Sequence, residues 1–152
     1  MRRSTRAVRW LVAGVALVWA LAYLHDPPWA GGITSGLRNW EQDLAGARYR
    51  WTNGHASFYI PDDVVRMTMP VRSGVPRPGG RLVTVSVSVD GHWLATRELE
   101  DPGRWVDITL SLPASLHARR FRRVEVRVDD VIPQRNLGVQ LGEAAFTRHD
   151  PS

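Results

Sequence analysis

Val83-Thr84-Val85-Ser86-Val87-Ser88-Val89, followed by Asp90-Gly91, is the stretch that decides the fold. Four valines alternate with three small polar residues, so successive side chains project to opposite faces and one face is wholly apolar. That is a half-buried strand. Asp90 and Gly91 are residues that tolerate the positive φ of a tight turn, and they return the chain as a hairpin through His92, Trp93 and Leu94.

Working outward, the same two-residue period runs through Val106, Ile108, Leu110 and Leu112. It returns in Val124, Val126 and Val128, which alternate with Glu125, Arg127 and Asp129. Residues 48–52, 55–60, 64–71, 92–99 and 137–147 complete a set of about eight strands, with turn signals roughly every eight to twelve residues. An all-β fold is expected: an antiparallel, jelly-roll-like β-sandwich preceded by one N-terminal hydrophobic helix. No internal repeat or low-complexity run interrupts it.

The 152 residues leave room for one domain once the N-terminal segment is set aside, and 10 Pro with 13 Gly favour turns over long helices. There is no cysteine, so neither disulfides nor a thiolate metal site contribute and packing must carry the stability. The formal charge of +5 suggests nucleic acid at first sight. Four of the arginines, Arg2, Arg3, Arg6 and Arg9, precede the apolar segment, and without them acidic and basic residues nearly balance. A folded part that close to neutrality argues against a nucleic-acid partner.

Trp10 to Leu24 are fifteen uncharged, mostly apolar residues behind that arginine flank. Residues 1–25 are therefore expected to be a signal anchor or a signal peptide, with the N-terminus cytoplasmic and everything later outside. Ala20, Leu21 and Ala22 fit a cleavage site. Trp10, Trp19 and Tyr23 fit interfacial anchors, and the length favours an uncleaved single-pass helix in a bacterial inner membrane with the β domain in the periplasm. A cleaved signal would leave the domain secreted or periplasmic. Pro27, Pro28 and several glycines mark residues 26–47 as a linker in which Leu37, Trp40 and Leu44 form a helical turn or pack on the domain edge, and 48–148 as the sandwich.

Two segments carry a resemblance: Arg48-Tyr49-Arg50-Trp51-Thr52-Asn53-Gly54-His55-Ala56 with Tyr59-Ile60-Pro61, and Asn136-Leu137-Gly138-Val139-Gln140-Leu141-Gly142-Glu143. Over about residues 46–147 the chain resembles a bacterial jelly-roll module found as the extracytoplasmic C-terminal part of polytopic glycosyltransferase-like proteins of surface-polysaccharide synthesis. The resemblance implies a compartment and a glycan context. This chain departs from that architecture in having one apolar segment, and no catalytic residue carries across.

Flat aromatic faces stack on sugar rings, which makes tryptophans the first candidates for a ligand. Trp51 lies inside a strand motif and reads as core. Trp93 and Trp105 follow turn residues and, with Tyr59, are the candidate ligand-binding residues. Arg119, Arg120, Arg122 and Arg123 around Phe121 form a candidate electrostatic patch for anionic headgroups or an acidic polysaccharide. Asp129, Asp130 and Glu143 lack the loop spacing of a calcium site, and Asp62 and Asp63 read as turn residues before they read as an acid and base pair. His25, His55, His92, His117 and His149 are scattered, and no serine stands in a nucleophile elbow. No catalytic residue, metal or cofactor is expected. The reading is a membrane-tethered, non-catalytic extracytoplasmic binding module in a glycan context. Its alternatives are a structural docking partner of a separately encoded membrane glycosyltransferase and, less favoured, a glycoside hydrolase.

Overall fold

A computed structural model describes residues 2–114, 119–132 and 135–149. Helix α1 (Arg2–His25) leads through a 3-10 turn (Pro28–Gly32) into ten strands among the described residues. These are β1 (Thr34–Leu37), β2 (Glu41–Gln42), β3 (Arg48–Pro61), β4 (Val64–Arg72), β5 (Val83–Val89), β6 (His92–Leu99), β7 (Val106–Ser111), β8 (Phe121–Val128), β9 (Gln140–Gly142) and β10 (Ala145–Arg148).

All pairings are antiparallel and make two layers. Sheet I runs β1-β3-β8-β5-β6. Sheet II runs β2-β3-β9-β4-β7, with β10 continuing the line of β9 along β4. The valines of β5 are buried while Thr84, Ser86 and Ser88 stay half-exposed, as the alternation requires. Val85, Val87, Val124 and Val126 are fully buried in one cluster with Met67 and Met69 of the opposite sheet. Burying each such side chain is worth about 1.5–3 kcal/mol, which lets a cysteine-free sandwich hold together.

The expected strands 48–52 and 55–60 are one strand. Residues 49–51 of β3 pair with β9 in sheet II, and residues 55–61 pair with β8 in sheet I. Gly54 sits at the crossing with φ +93°, and a Cβ there would lie 2.7 Å from Cγ1 of Val131. The segment expected as one strand over 137–147 divides into β9, which lies between β3 and β4, and β10, which pairs with β4 alone after Glu143 and Ala144.

The expected linker 26–47 is also corrected, since it contributes β1 and β2, both paired with β3. The outer edge of β3 would otherwise expose a row of unpaired main-chain groups, and this segment covers it. Leu37 is half-buried against the core, whereas Leu44 is fully exposed in the loop after β2.

The sandwich has two distinct ends. At one lie the Asp62-Asp63 turn, the Asp90-Gly91 turn, the start of β8 and the last residues of β10, where Asp62 N–H bonds the Arg120 carbonyl and His149 N–H bonds that of Asp63. The helix is attached here: Asp26 accepts the Arg120 N–H at 3.1 and 3.2 Å and pairs with its guanidinium at 3.5 Å. At the other end are the β3 crossing, Ser73 to Arg81 and the start of β7, joined by bonds such as Gly138 N–H to the Thr52 carbonyl at 2.7 Å. Nine residues of β4 separate the ends, about 25 Å at strand rise.

Residues 8–25 of helix α1 are all exposed. Its 24 residues span about 36 Å, and its apolar stretch is long enough to cross a membrane.

The crossing glycine gives a direct test. Gly54→Ala should lower the unfolding free energy by about 1–3 kcal/mol, from positive φ and the clash with Val131 together. Gly79→Ala, at φ +71° but with nothing within 4 Å of the added methyl, should cost measurably less. Urea unfolding of both variants in detergent checks it, and equal losses would show that the crossing is not tightly packed.

Candidate functional site

Sheet II carries a continuous row of side chains across its outer face. Trp51 of β3 pairs in register with Gln140 of β9, and Gln140 with Arg72 of β4. The Arg72 guanidinium donates to the Gln140 side-chain oxygen and lies over the Trp105 ring, 4.3 Å from its centroid. It is also 5.3 Å from the centroid of Tyr49. Tyr49 completes the cluster, edge-on to Trp51 at 6.3 Å and tilted against Trp105 at 6.4 Å.

The loop after β2 fixes this arginine. The Asp43 carboxylate accepts the N–H of Ala45 at 3.0 Å and of Ala47 at 2.9 Å, closing a tight turn, and meets Arg72 at 3.1 Å. Burial pushes the Asp43 carboxyl upward, but the Ala47 and Ala45 N–H groups and the Arg72 charge outweigh it and hold the pKa below the ordinary aspartate value. Burial, and then the hydrogen bond to Glu41, push the Tyr49 phenol up.

Trp105, immediately before β7, and Asp107 within it, two residues apart, form the wall between two open grooves. The first, about 500 Å³, has Pro70 and Gly142 as a low floor and Gly46-Ala47, Arg48 and Glu143 along its other side. A side chain at position 142 would meet Pro70 at 3.0 Å, so glycine keeps this floor shallow. Arg48 and Glu143 pair at 2.7 Å and are both more than half exposed. The second groove, about 610 Å³, follows the β6–β7 connection past Thr96, Glu98, Asp101 and Arg104. Arg104 pairs with Asp101 at 3.3 Å in solvent. Together the grooves offer an aromatic plate flanked by carboxylates and guanidinium groups.

The three aromatic residues singled out in the sequence do not converge. Trp105 is in this site. Trp93 is 66% exposed at the helix-attached end of β6 and lines neither groove, though its indole N–H donates to Thr96 on the second groove's rim at 3.0 Å. Tyr59 is half-buried at the helix-attached end, where it pairs across from Arg123. Trp51, read from the sequence as core, is buried at 9% but on the outer face of sheet II, outside the inter-sheet cluster.

The arginine cluster divides as well. Arg122 is turned inward, with Nε 2.9 Å from Asp90 and Nη1 2.6 Å from the Pro113 carbonyl. Arg119, Arg120 and Arg123 are exposed. Asp129, Asp130 and Glu143 go to separate partners: the Thr84 N–H, Arg77 and Arg48. Among the described residues no three His, Cys, Asp or Glu side chains come together as metal ligands. His117 lies outside the described residues.

A fourth feature is an apolar cleft of about 390 Å³ at the open edge between β1 and β10, reached past Leu37, Phe58, Met69, Leu141 and Phe146. Trp40 lies at its rim under two guanidinium groups, those of Arg48 at 5.0 Å and Arg50 at 5.4 Å.

Arg72, Asp43, Asp107 and Arg48 were missed by sequence reasoning. Asp107 had a signal, because it stands two residues after Trp105 at the start of β7; the others are brought in by strand pairings remote in the chain.

No protein-family model matches this chain, and neither does any curated protein. Among solved structures, one similar fold is a family 6 carbohydrate-binding module, 11% identical with TM-score 0.47, over 77% of this chain and 87% of that one. Others are the EclA C-terminal domain, described as a sugar-binding protein (14%, TM-score 0.46, 72% and 90%), and the C-terminal family 6 module of a Zobellia galactanivorans laminarinase (12%, TM-score 0.46, 76% and 91%). At such values the likeness does not reach individual residues or ligands.

The lowered Asp43 carboxyl makes the site acid-sensitive with a defined sign. A depressed folded pKa contributes stability above the unfolded value and loses it as pH falls through the folded value. The wild-type chain should therefore lose stability below the ordinary aspartate range, and Asp43→Asn should show a shallower acid limb. Thermal unfolding against pH checks this, and parallel limbs would mean that the Asp43 turn opens before it titrates.

Proposed function

We propose that this chain is a membrane-tethered, non-catalytic glycan-binding module that takes its ligand across Trp105, on the face of sheet II remote from the helix. The observation that carries it is the shared wall: one half-exposed indole and the Asp107 carboxylate border two open grooves, with Arg48, Glu143, Asp101 and Arg104 within the same rims. Sugars present an apolar ring face together with hydroxyls that both donate and accept, and an aromatic plate beside carboxylates and guanidinium groups matches both. The charges are mixed and largely self-paired, which suits neutral sugar units better than a polyanion.

Exposure argues for binding rather than hydrolysis. A general acid needs a carboxyl desolvated enough to stay protonated, whereas Glu143 and Asp101 are 58% and 65% exposed and paired to arginine. The extracytoplasmic setting rests on α1 as an uncleaved span behind the arginine flank, with the sandwich on the opposite side. A surface-polysaccharide context follows from the resemblance of residues 46–147.

A second reading, docking on a separate membrane glycosyltransferase, is favoured by the apolar cleft between β1 and β10, with Phe146 43% exposed at its mouth. The full chain in nanodiscs, titrated with neutral glucan oligosaccharides, uronate-containing capsular fragments and peptidoglycan fragments, separates the two. A saturable tryptophan fluorescence change is expected with a neutral glycan. It should weaken at least roughly tenfold in Trp105→Ala, by loss of stacking and of the grooves' shared wall, and persist in Trp93→Phe. No saturable response to any of the three would sink the glycan reading in favour of docking.

A further inference from the structure

The end of the sandwich that joins α1 gathers features the groove does not use. Asp26, the first residue after the helix, is tied to the main chain and guanidinium of Arg120. Five residues on, Gly31 lies so close to the Phe121 ring that an added Cβ would meet it at 2.6 Å. The chain leaving the helix is thus seated on the start of β8 rather than hanging free. Because residues 8–25 bury nothing against the sandwich, the helix projects away from this end.

Around that junction lie Arg119, Arg120 and Arg123, the last 47% exposed, and Arg119 and Arg123 line a recess of about 430 Å³ together with Tyr59, Gly91 and Phe121. The carboxylates here have cationic partners: Asp26 with Arg120, Asp90 with Arg122, Glu125 with Arg123 and Arg127, and Asp63 with Arg148. Asp62 is exposed in the same turn, so attraction would come from discrete arginines rather than net charge. Two large indoles are also exposed here, Trp29 at 55% in the turn after the helix and Trp93 at 66% beside the Asp90-Gly91 turn. Indoles that are apolar in body and polar at one tip concentrate at the bilayer interface, where arginine meets phosphate.

We propose that this end of the sandwich rests on the membrane, with Arg119 and Arg123 on phospholipid headgroup phosphates and the indoles of Trp29 and Trp93 seated in the interfacial layer. The inference rests on α1 being a membrane span, and it gives Trp93 and Tyr59 a place at the membrane surface instead of at the glycan.

The absence of native cysteine makes the test direct. Single cysteines replacing Leu17, His92 and Arg81, each carrying an environment-sensitive fluorophore, report the helix, the near end and the far end of the full chain. The chain is reconstituted in phosphatidylglycerol-containing vesicles with a headgroup or acyl-chain quencher. Quenching is expected at Leu17 by the acyl-chain probe and at His92 by the headgroup probe, with none at Arg81. Arg119→Gln with Arg123→Gln should shift the docked-to-undocked ratio read at His92 by about fivefold per arginine, leaving Leu17 unchanged and the circular dichroism native. Quenching at Leu17 with His92 as accessible as Arg81 would overturn the contact while sparing the anchor. An accessible Leu17 would overturn the anchor and the contact together, and full quenching at His92 in the double variant would remove the arginines from it.

Discussion

The main-chain exchange between Thr52 and the segment 138–139 is the constraint on which the rest of the molecule hangs. Thr52 N–H bonds the Val139 carbonyl at 2.8 Å, the Thr52 carbonyl accepts the Gly138 N–H at 2.7 Å, and the Thr52 hydroxyl accepts the Val139 N–H at 3.0 Å. All of this is buried, with Thr52 and Val139 at 0% exposure. Immediately beyond it β3 leaves one sheet for the other. If these bonds were lost, their groups would be orphaned away from water at the point where β3 passes from one sheet to the other. The β1–β2 segment follows β3 through the same crossing, and the outer-face row from Trp51 to Trp105 begins one residue away.

Much of the architecture was readable because the valines of β5 and β8 obey a period of two and the alternation is a local property. The apolar helix behind its arginines was readable for a similar reason. What escaped was non-local. Nothing near Trp51 announces that β3 continues through Asn53 and Gly54, because a glycine at a crossing looks like a glycine in a turn. Residues 34–37 looked like linker because a four-residue edge strand with Gly36 inside it carries no periodicity. The candidate site divides along the same line: Trp105 and Asp107 sit two apart in the chain, at the start of β7, while Arg72, Asp43 and Arg48 reach them only through strand pairings remote in the chain.

Arginine has different tasks at different depths. Arg77, at 7% exposure, donates to the Gly138 and Asp130 carbonyls at 2.9 and 3.2 Å, and Arg122 bridges Asp90 to Pro113. Both act as internal cross-links between loops, a use that suits a planar, permanently charged fork. Arg72, Arg48 and Arg50 lie against aromatic rings at 4.3–5.4 Å, where the guanidinium keeps edge donors while its face is occupied. A charge total therefore says little here, since the same residue type serves as a strut, a stacking partner and a solvated group.

The seating of Asp26 on Arg120 and of Gly31 on Phe121 has a mechanical consequence. A slack tether would let a domain tumble above its support and present every face in turn. A chain clamped within six residues of the helix end transmits the helix's tilt and rotation instead. With α1 in a membrane and a glycan at Trp105, as proposed, the Trp105 wall would have a fixed bearing as well as a height of about 25 Å, and two copies could meet a repeating polymer in phase only if their helices were turned alike.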